Sequence, residues 1–202
     1  MLKRRILLGL LVVAVLLAGC SDDNKTDIKS LESSKASKVD MDVTAFFQKT
    51  ESVNEYVSPF EEGMNKTTLM TTSAAKSTSP TERLVQKMNV DKASNSNDVK
   101  RQIVKYTVTK TSLETEDGEI LLMNKTKWKS KGWSHYVVST NETVKVKAGT
   151  FEECVLVVSV DKKTGLKKKT YYAKEVGMIK TTSQAKGEKE RTLIELVETD
   201  SL

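Results

Sequence analysis

The chain has 202 residues, enough for one domain with appendages. Hydrophobic residues make up 38% of it and aromatics 5%, so a core has to come from apolar residues that alternate efficiently along strands. The formal charge is +6, but Lys3, Arg4 and Arg5 supply three of those charges. Behind Cys20, 30 basic residues face 27 acidic ones, a balance that gives no electrostatic case for nucleic acid.

Met1 to Arg5 is a short positive stretch, and Ile6 to Ala18 is an apolar run broken by one glycine. Thirteen helical residues would span about 20 Å, short of the ~30 Å hydrocarbon core, so the run reads as a secretory signal rather than a membrane span. Its ending, Leu17-Ala18-Gly19-Cys20, resembles the lipobox of bacterial lipoproteins. That resemblance implies cleavage between Gly19 and Cys20, a diacylglyceryl group on the Cys20 sulfur and a fatty acyl group such as palmitate on the freed amine. The chemistry suits cysteine, whose thiolate is the strongest side-chain nucleophile. At ~0.8 kcal/mol per buried methylene, two or three chains hold a protein stably where one holds it marginally.

Residues 1–19 are therefore expected to be a signal peptide, 20–41 a lipidated cysteine with a flexible tether, and 42–202 a β-rich extracytoplasmic domain. The tether, "SDDNKTDIKSLESSKASKVD", is too polar to bury a core of its own. With Cys20 acylated, the domain keeps one thiol, Cys154, and no disulfide within the chain.

The first half of the domain is weakly patterned. "VTAFF" and "NEYVSPF" fit strands, or one amphipathic helix broken before Pro59. "TTLMTTSAAKSTSP" mixes strand-favouring threonines with a loop-like tail, "TERLVQKMNV" leans to strand, and "DKASNSND" is a loop. From Val99 onward, strand-like runs alternate with turns at Gly118, Gly149, Gly165, Gly177 and Gly187. Such spacing predicts a mainly β fold with little helix: one antiparallel meander forming a curved sheet or half-barrel. "FEECVLVVSV" is apolar on both faces, as a central strand would be, and buries Cys154. "LKKKTYYA" is expected to keep one wet face.

"VKVKAGTFEECVLV", followed by "YYAKEVGMIK", is similar to a hairpin pair in a family of uncharacterised bacterial envelope proteins. Their pattern is Val-x-Val-Pro-Ala-Gly-Thr-Phe, a strand, then Tyr-Ala-x-Gly-Val-Gly. Lys147 stands here where proline is usual, and Glu175 where the first glycine is usual. Such proteins resemble, at the level of fold, the curved β-sheet carriers that handle lipids and lipoproteins in bacterial envelopes.

No catalytic set emerges. The chain has one histidine, His135, in "GWSHYVV" without a Gly-x-Ser-x-Gly elbow, so a serine–histidine hydrolase has little to stand on. Metal-ligand spacing and a glycine-rich phosphate loop are also missing, and no metal or cofactor is implied. Acid pairs such as Glu116-Asp117 and Glu152-Glu153 fall at hairpin ends. Trp128, Trp133, Tyr136, Tyr171 and Tyr172 are candidates to line a cavity in a curved sheet. "DKKTGLKKK" puts five lysines at one hairpin tip, either as a solubilising turn or as a contact for anionic headgroups. The expected function is non-enzymatic binding, by a monomer held on the outer face of a cell membrane, of an apolar ligand or an envelope partner. An enzyme acting on envelope glycan or lipid and a surface adhesion protein are the alternatives. A cavity of a few hundred Å³ would favour ligand binding.

Overall fold

The computed structural model describes residues 39–58, 68–75, 79–91 and 99–201. The expected signal peptide, Cys20 and the tether as far as residue 38 lie outside the described residues, as do Pro59 and most of the "DKASNSND" loop. A short 3-10 turn, Val43–Phe46, comes first, capped by the Asp42 carboxylate, which accepts from the Thr44 amide.

Twelve strands follow: β1 Val53–Ser58, β2 Thr68–Ala75, β3 Glu82–Asp91, β4 Val99–Val108, β5 Ser112–Thr115 and β6 Ile120–Met123; then β7 Lys127–Ser130, β8 Trp133–Val146, β9 Gly149–Asp161, β10 Lys167–Ala173, β11 Gly177–Gln184 and β12 Arg191–Thr199. No α-helix occurs among the described residues. The two segments whose sequence fits either strand or helix resolve differently. "VTAF" makes the 3-10 turn, and "NEYVS" lies in β1.

All twelve strands form one antiparallel sheet, in the order β6-β5-β4-β3-β2-β1-β12-β11-β10-β9-β8-β7. The chain starts mid-sheet at β1, meanders out to β6, reappears at the opposite edge as β7 and meanders back to β12 beside β1. This order forces curvature. A flat sheet of twelve strands at ~4.8 Å spacing would be roughly 50 Å wide. Residues 124–126, which join β6 to β7, can span at most about 14 Å. The sheet must therefore roll until its edges nearly meet. Register shifts within the β8–β9, β10–β11, β11–β12, β1–β12 and β5–β6 pairs supply bends of the kind β-bulges make.

The edges meet without closing a ladder. The Ile120 amide donates to Ser130 Oγ at 2.8 Å, and the Trp128 indole N–H donates to the Ile120 carbonyl at 3.0 Å. Side chains thus pin together two edges that would otherwise expose unpaired backbone groups.

The largest core lies inside the roll. Leu113 and Leu122 from one end of the strand order share it with Trp128, Val155, Val157 and Tyr172 from the other. The segment before β1 packs into the same cluster through Val39, Met41, Val43 and Phe46, so packing reaches back to Val39, three residues before Asp42. Its backbone is tied at both sides: the Val43 amide donates to the Lys110 carbonyl, and the Glu175 amide to the Ala45 carbonyl. A second cluster joins Val144, Val146, Phe151 and Cys154 of the β8–β9 hairpin to Ile179 and Leu196, and the Ala148 amide donates to the Leu196 carbonyl.

The expected turn glycines Gly118, Gly149, Gly165, Gly177 and Gly187 all have positive φ. Gly177 is constrained twice: φ is +84°, and a Cβ there would lie 3.2 Å from the Gln48 amide nitrogen. Glu175 also has positive φ, at 61°. β9 is buried on both faces, from Cys154 to Val158 and at Val160, as its composition predicts.

Candidate functional site

Inside the roll, the segment before β1 leaves part of the concave surface uncovered, as a cavity of about 310 Å³. Its walls come from both halves of the sheet: Val85 and Tyr106 on β3 and β4, Val157 and Tyr172 on β9 and β10, and Phe46 and Phe47 from the packed segment. Phe47 meets Tyr106 edge to face, ring centroids 5.6 Å apart.

Strand alternation decides which of the expected aromatics reach it. Ser159 of β9 pairs with His135 on β8 and Lys168 on β10, and Val157 pairs with Thr170; this face lines the cavity. Trp133 and Tyr172 are on the lining. Tyr136 pairs with Val158 and Tyr171 with Leu156, so both lie on the opposite face, away from the cavity. Trp128 is buried against His135 and works at the seam through its bond to Ile120, not on the lining. Phe46, Phe47 and Tyr56 from the weakly patterned first half, and Tyr106 from the alternating run of β4, complete the aromatic surface.

Several polar groups of the wall are already committed. Gln48 Nε2 donates to the Ser52 and Thr72 carbonyls at 2.8 and 3.0 Å, while the Thr72 hydroxyl donates to Gln48 Oε1 at 2.8 Å. The Tyr56 hydroxyl donates to the Met178 carbonyl at 2.9 Å and accepts from Asn54 Nδ2. Burial pushes the Tyr56 phenol up to about 12. The fully buried Tyr172 phenol is raised further for the same reason, and its hydroxyl reaches the Leu121 carbonyl at 3.4 Å. These phenols stay neutral and structural.

His135 and Ser159 are in contact, Nδ1 to Oγ 2.8 Å, in the same wall. A hydrolytic pair would need a carboxylate on the other ring nitrogen. His135 Nε2 is instead buried without a hydrogen-bond partner among the described residues; the Ser130 carbonyl lies near enough to favour the charged ring but outside hydrogen-bonding geometry. Burial outweighs that carbonyl and lowers the imidazole pKa, so the ring is a poor base held flat against Trp128. The lining carries one carboxylate, Glu119, rather than the pair that glycoside chemistry uses. The hairpin-end acids lie elsewhere, with Glu153 paired to Lys174 and Asp117 to Lys131 at 3.5 Å.

The lysine-rich tip divides between the two faces of the sheet, so β10 has no simple wet face. Lys169 points out and pairs with Glu190 at 2.6 Å, whereas Lys168 lies on the cavity side with its ammonium 4.6 Å from the centre of the Trp133 ring. Across the cavity, Lys87 of β3 holds its ammonium 5.6 Å from the centre of the Tyr106 ring. No signal in its own strand marks Lys87, and nothing in the lysine run distinguishes Lys168 from its neighbours. The curvature that brings β3 and β10 onto one lining is a property of the whole sheet.

No family model matches the chain, and no curated protein matches it. Two solved structures are similar to it. One is a "putative exported protein with YmcC-like fold" from Bacteroides fragilis, 12% identical, at TM-score 0.49, covering 77% of this chain and 99% of that one. The other is a "putative lipoprotein" from Parabacteroides distasonis, 13% identical, at TM-score 0.50, covering 80% of this chain and all of that one. At 13% identity the second likeness concerns the fold: a mainly β, curved antiparallel sheet that is not closed into a barrel.

Proposed function

We propose that this protein is a lipid-anchored, extracytoplasmic binding protein whose rolled sheet holds an apolar or amphipathic small molecule. The observation that carries the reading is the cavity of about 310 Å³ between the two halves of the sheet. It lies within the size range of small-molecule sites, and its wall is largely aromatic and aliphatic with a few polar groups, as such sites are built. The anchor rests on Leu17-Ala18-Gly19-Cys20 and the positive, apolar leader before it.

Native mass spectrometry of the protein, extracted gently from its own membranes, tests the cavity. A retained species of a few hundred daltons is the expected result. A bare protein that also fails to bind a fluorescent fatty-acid probe would overturn it. The anchor is tested separately: Cys20→Ser should move the protein out of the membrane fraction or leave its leader uncut. A variant that is processed and stays on the membrane would show that the anchor lies elsewhere.

A further inference from the structure

We propose that the cavity takes a single-chain amphiphile with an anionic head, and that Lys87 and Lys168 read that head. The inference rests on the reading of the cavity as a ligand site and names the ligand class.

Size sets the first limit. An apolar cavity of ~150 Å³ takes a guest the size of benzene. At about 310 Å³ this one has room for one short chain or a few rings, and too little for the two full chains of a diacyl lipid.

Charge sets the second. Two ammonium groups and one carboxylate, Glu119, border the cavity. Lys87 and Lys168 come from strands separated in the sheet by β2, β1, β12 and β11, yet both border the same space. Each is half-buried and steadied over an aromatic ring of the lining, Tyr106 and Trp133 respectively. A ring face attracts the ammonium without accepting its three N–H donors as an anion would. Among the described residues neither lysine has a carboxylate within ion-pair distance, although Lys169 next in sequence pairs with Glu190. Gln48, Thr72 and Tyr56, by contrast, have spent their polar groups on one another and on backbone carbonyls. The lining therefore presents an apolar interior with two placed, under-used cations, which fits a hydrocarbon tail ending in a carboxylate or a phosphate.

The test uses the chain from residue 20 onward carrying Cys20→Ser, which contains every described residue and needs no detergent. Decanoate, decyl phosphate, decanol and decyltrimethylammonium are titrated calorimetrically below their micelle-forming concentrations. The anions should bind at least about tenfold more tightly than decanol, with a preference that weakens as salt is added. Lys87→Gln with Lys168→Gln should bring the anions down to the affinity of decanol and leave decanol unchanged. Lys87→Arg with Lys168→Arg should keep the preference, which separates loss of charge from loss of fold. Preference for decanoate alone or for decyl phosphate alone supports the proposal and tells a fatty acid from a phosphate-headed lipid. Equal binding of decanol and both anions, tighter binding of the cation, or a preference that survives the glutamine pair would overturn it while leaving the cavity a ligand site. Failure of all four chains to bind would overturn both readings.

Discussion

Trp128 lies flat against His135, ring centroids 5.0 Å apart and planes 8° from parallel, while its indole N–H bonds the Ile120 carbonyl across the gap between the sheet edges. One aromatic pair thus joins the cavity wall to the seam. His135 turns toward Ser159 and the cavity; Trp128 turns toward β6. The sheet can remain rolled without a twelfth ladder because these side chains take over part of the pairing that a closed barrel would give to backbone.

The seam should loosen locally when its hydroxyl is removed. In Ser130→Ala the Ile120 amide loses its acceptor, and a bond of this kind contributes about 1 kcal/mol net. Exchange of the Ile120 amide is expected to speed up several-fold in hydrogen-exchange measurements, with amides of β9 unchanged. Unaltered Ile120 exchange would mean the edges are held by something other than this contact.

Acid should weaken the fold first through His135. Burial lowers its pKa below the ordinary 6.5, so the unfolded chain binds this proton more readily than the folded one. Stability is then complete above about 6.5 and declines as the pH falls through the folded value. Asp117 and Asp161 act later, because hydrogen bonds from Thr115 and Thr164 hold them below their ordinary 3.8. Urea midpoints should therefore drop between pH 7 and pH 5 in the native sequence and drop less in His135→Gln. Equal drops in both would show that the imidazole is not the group responsible.

Two glycines separate strain from crowding. Gly118→Ala forces a side chain into a left-handed turn with open space around it, at a cost of about 1 kcal/mol. Gly177→Ala adds a close approach to the backbone of Gln48, whose side chain is hydrogen-bonded into the wall, and should cost about 2–3 kcal/mol. Denaturant unfolding of the two variants should show the larger loss at Gly177. The reverse order would mean that the packed segment before β1 yields easily.

Cys154 should be inert until the protein opens. Its thiol is fully buried, weakly bonded to the Phe151 carbonyl at 3.5 Å, and pushed by burial up to about 11. Iodoacetamide at pH 8 should modify it only slowly in the native state and fast in urea, since the thiolate is the reactive form. Labelling of the folded protein at the rate of a free thiol would contradict the packing of β9 against Ile179 and Leu196.

Much of the fold is legible in local chemistry. Alternation from Val99 onward, glycine at the tight turns, and a β9 run that is apolar on both faces all depend on neighbours along the chain, and each has its counterpart in the structure. Phe46 and Tyr56 are not legible locally, because the segment around them follows neither a helical nor a strand period for long. It forms a 3-10 turn and a short strand whose burial comes from contacts with distant strands. The aromatic candidates divide for a simpler reason. Trp133 and Tyr172 reach the cavity while Tyr136 and Tyr171 do not, because successive strand residues point to opposite faces and composition does not say which face is inside.

Residue order alone determined that this chain would be a strand-built meander, because turn chemistry and alternation are read locally. Tertiary structure alone decided that Lys87 and Lys168 share one cavity. Their strands lie far apart in the ladder and line one space only because a three-residue link draws the two edges together and rolls the sheet around it.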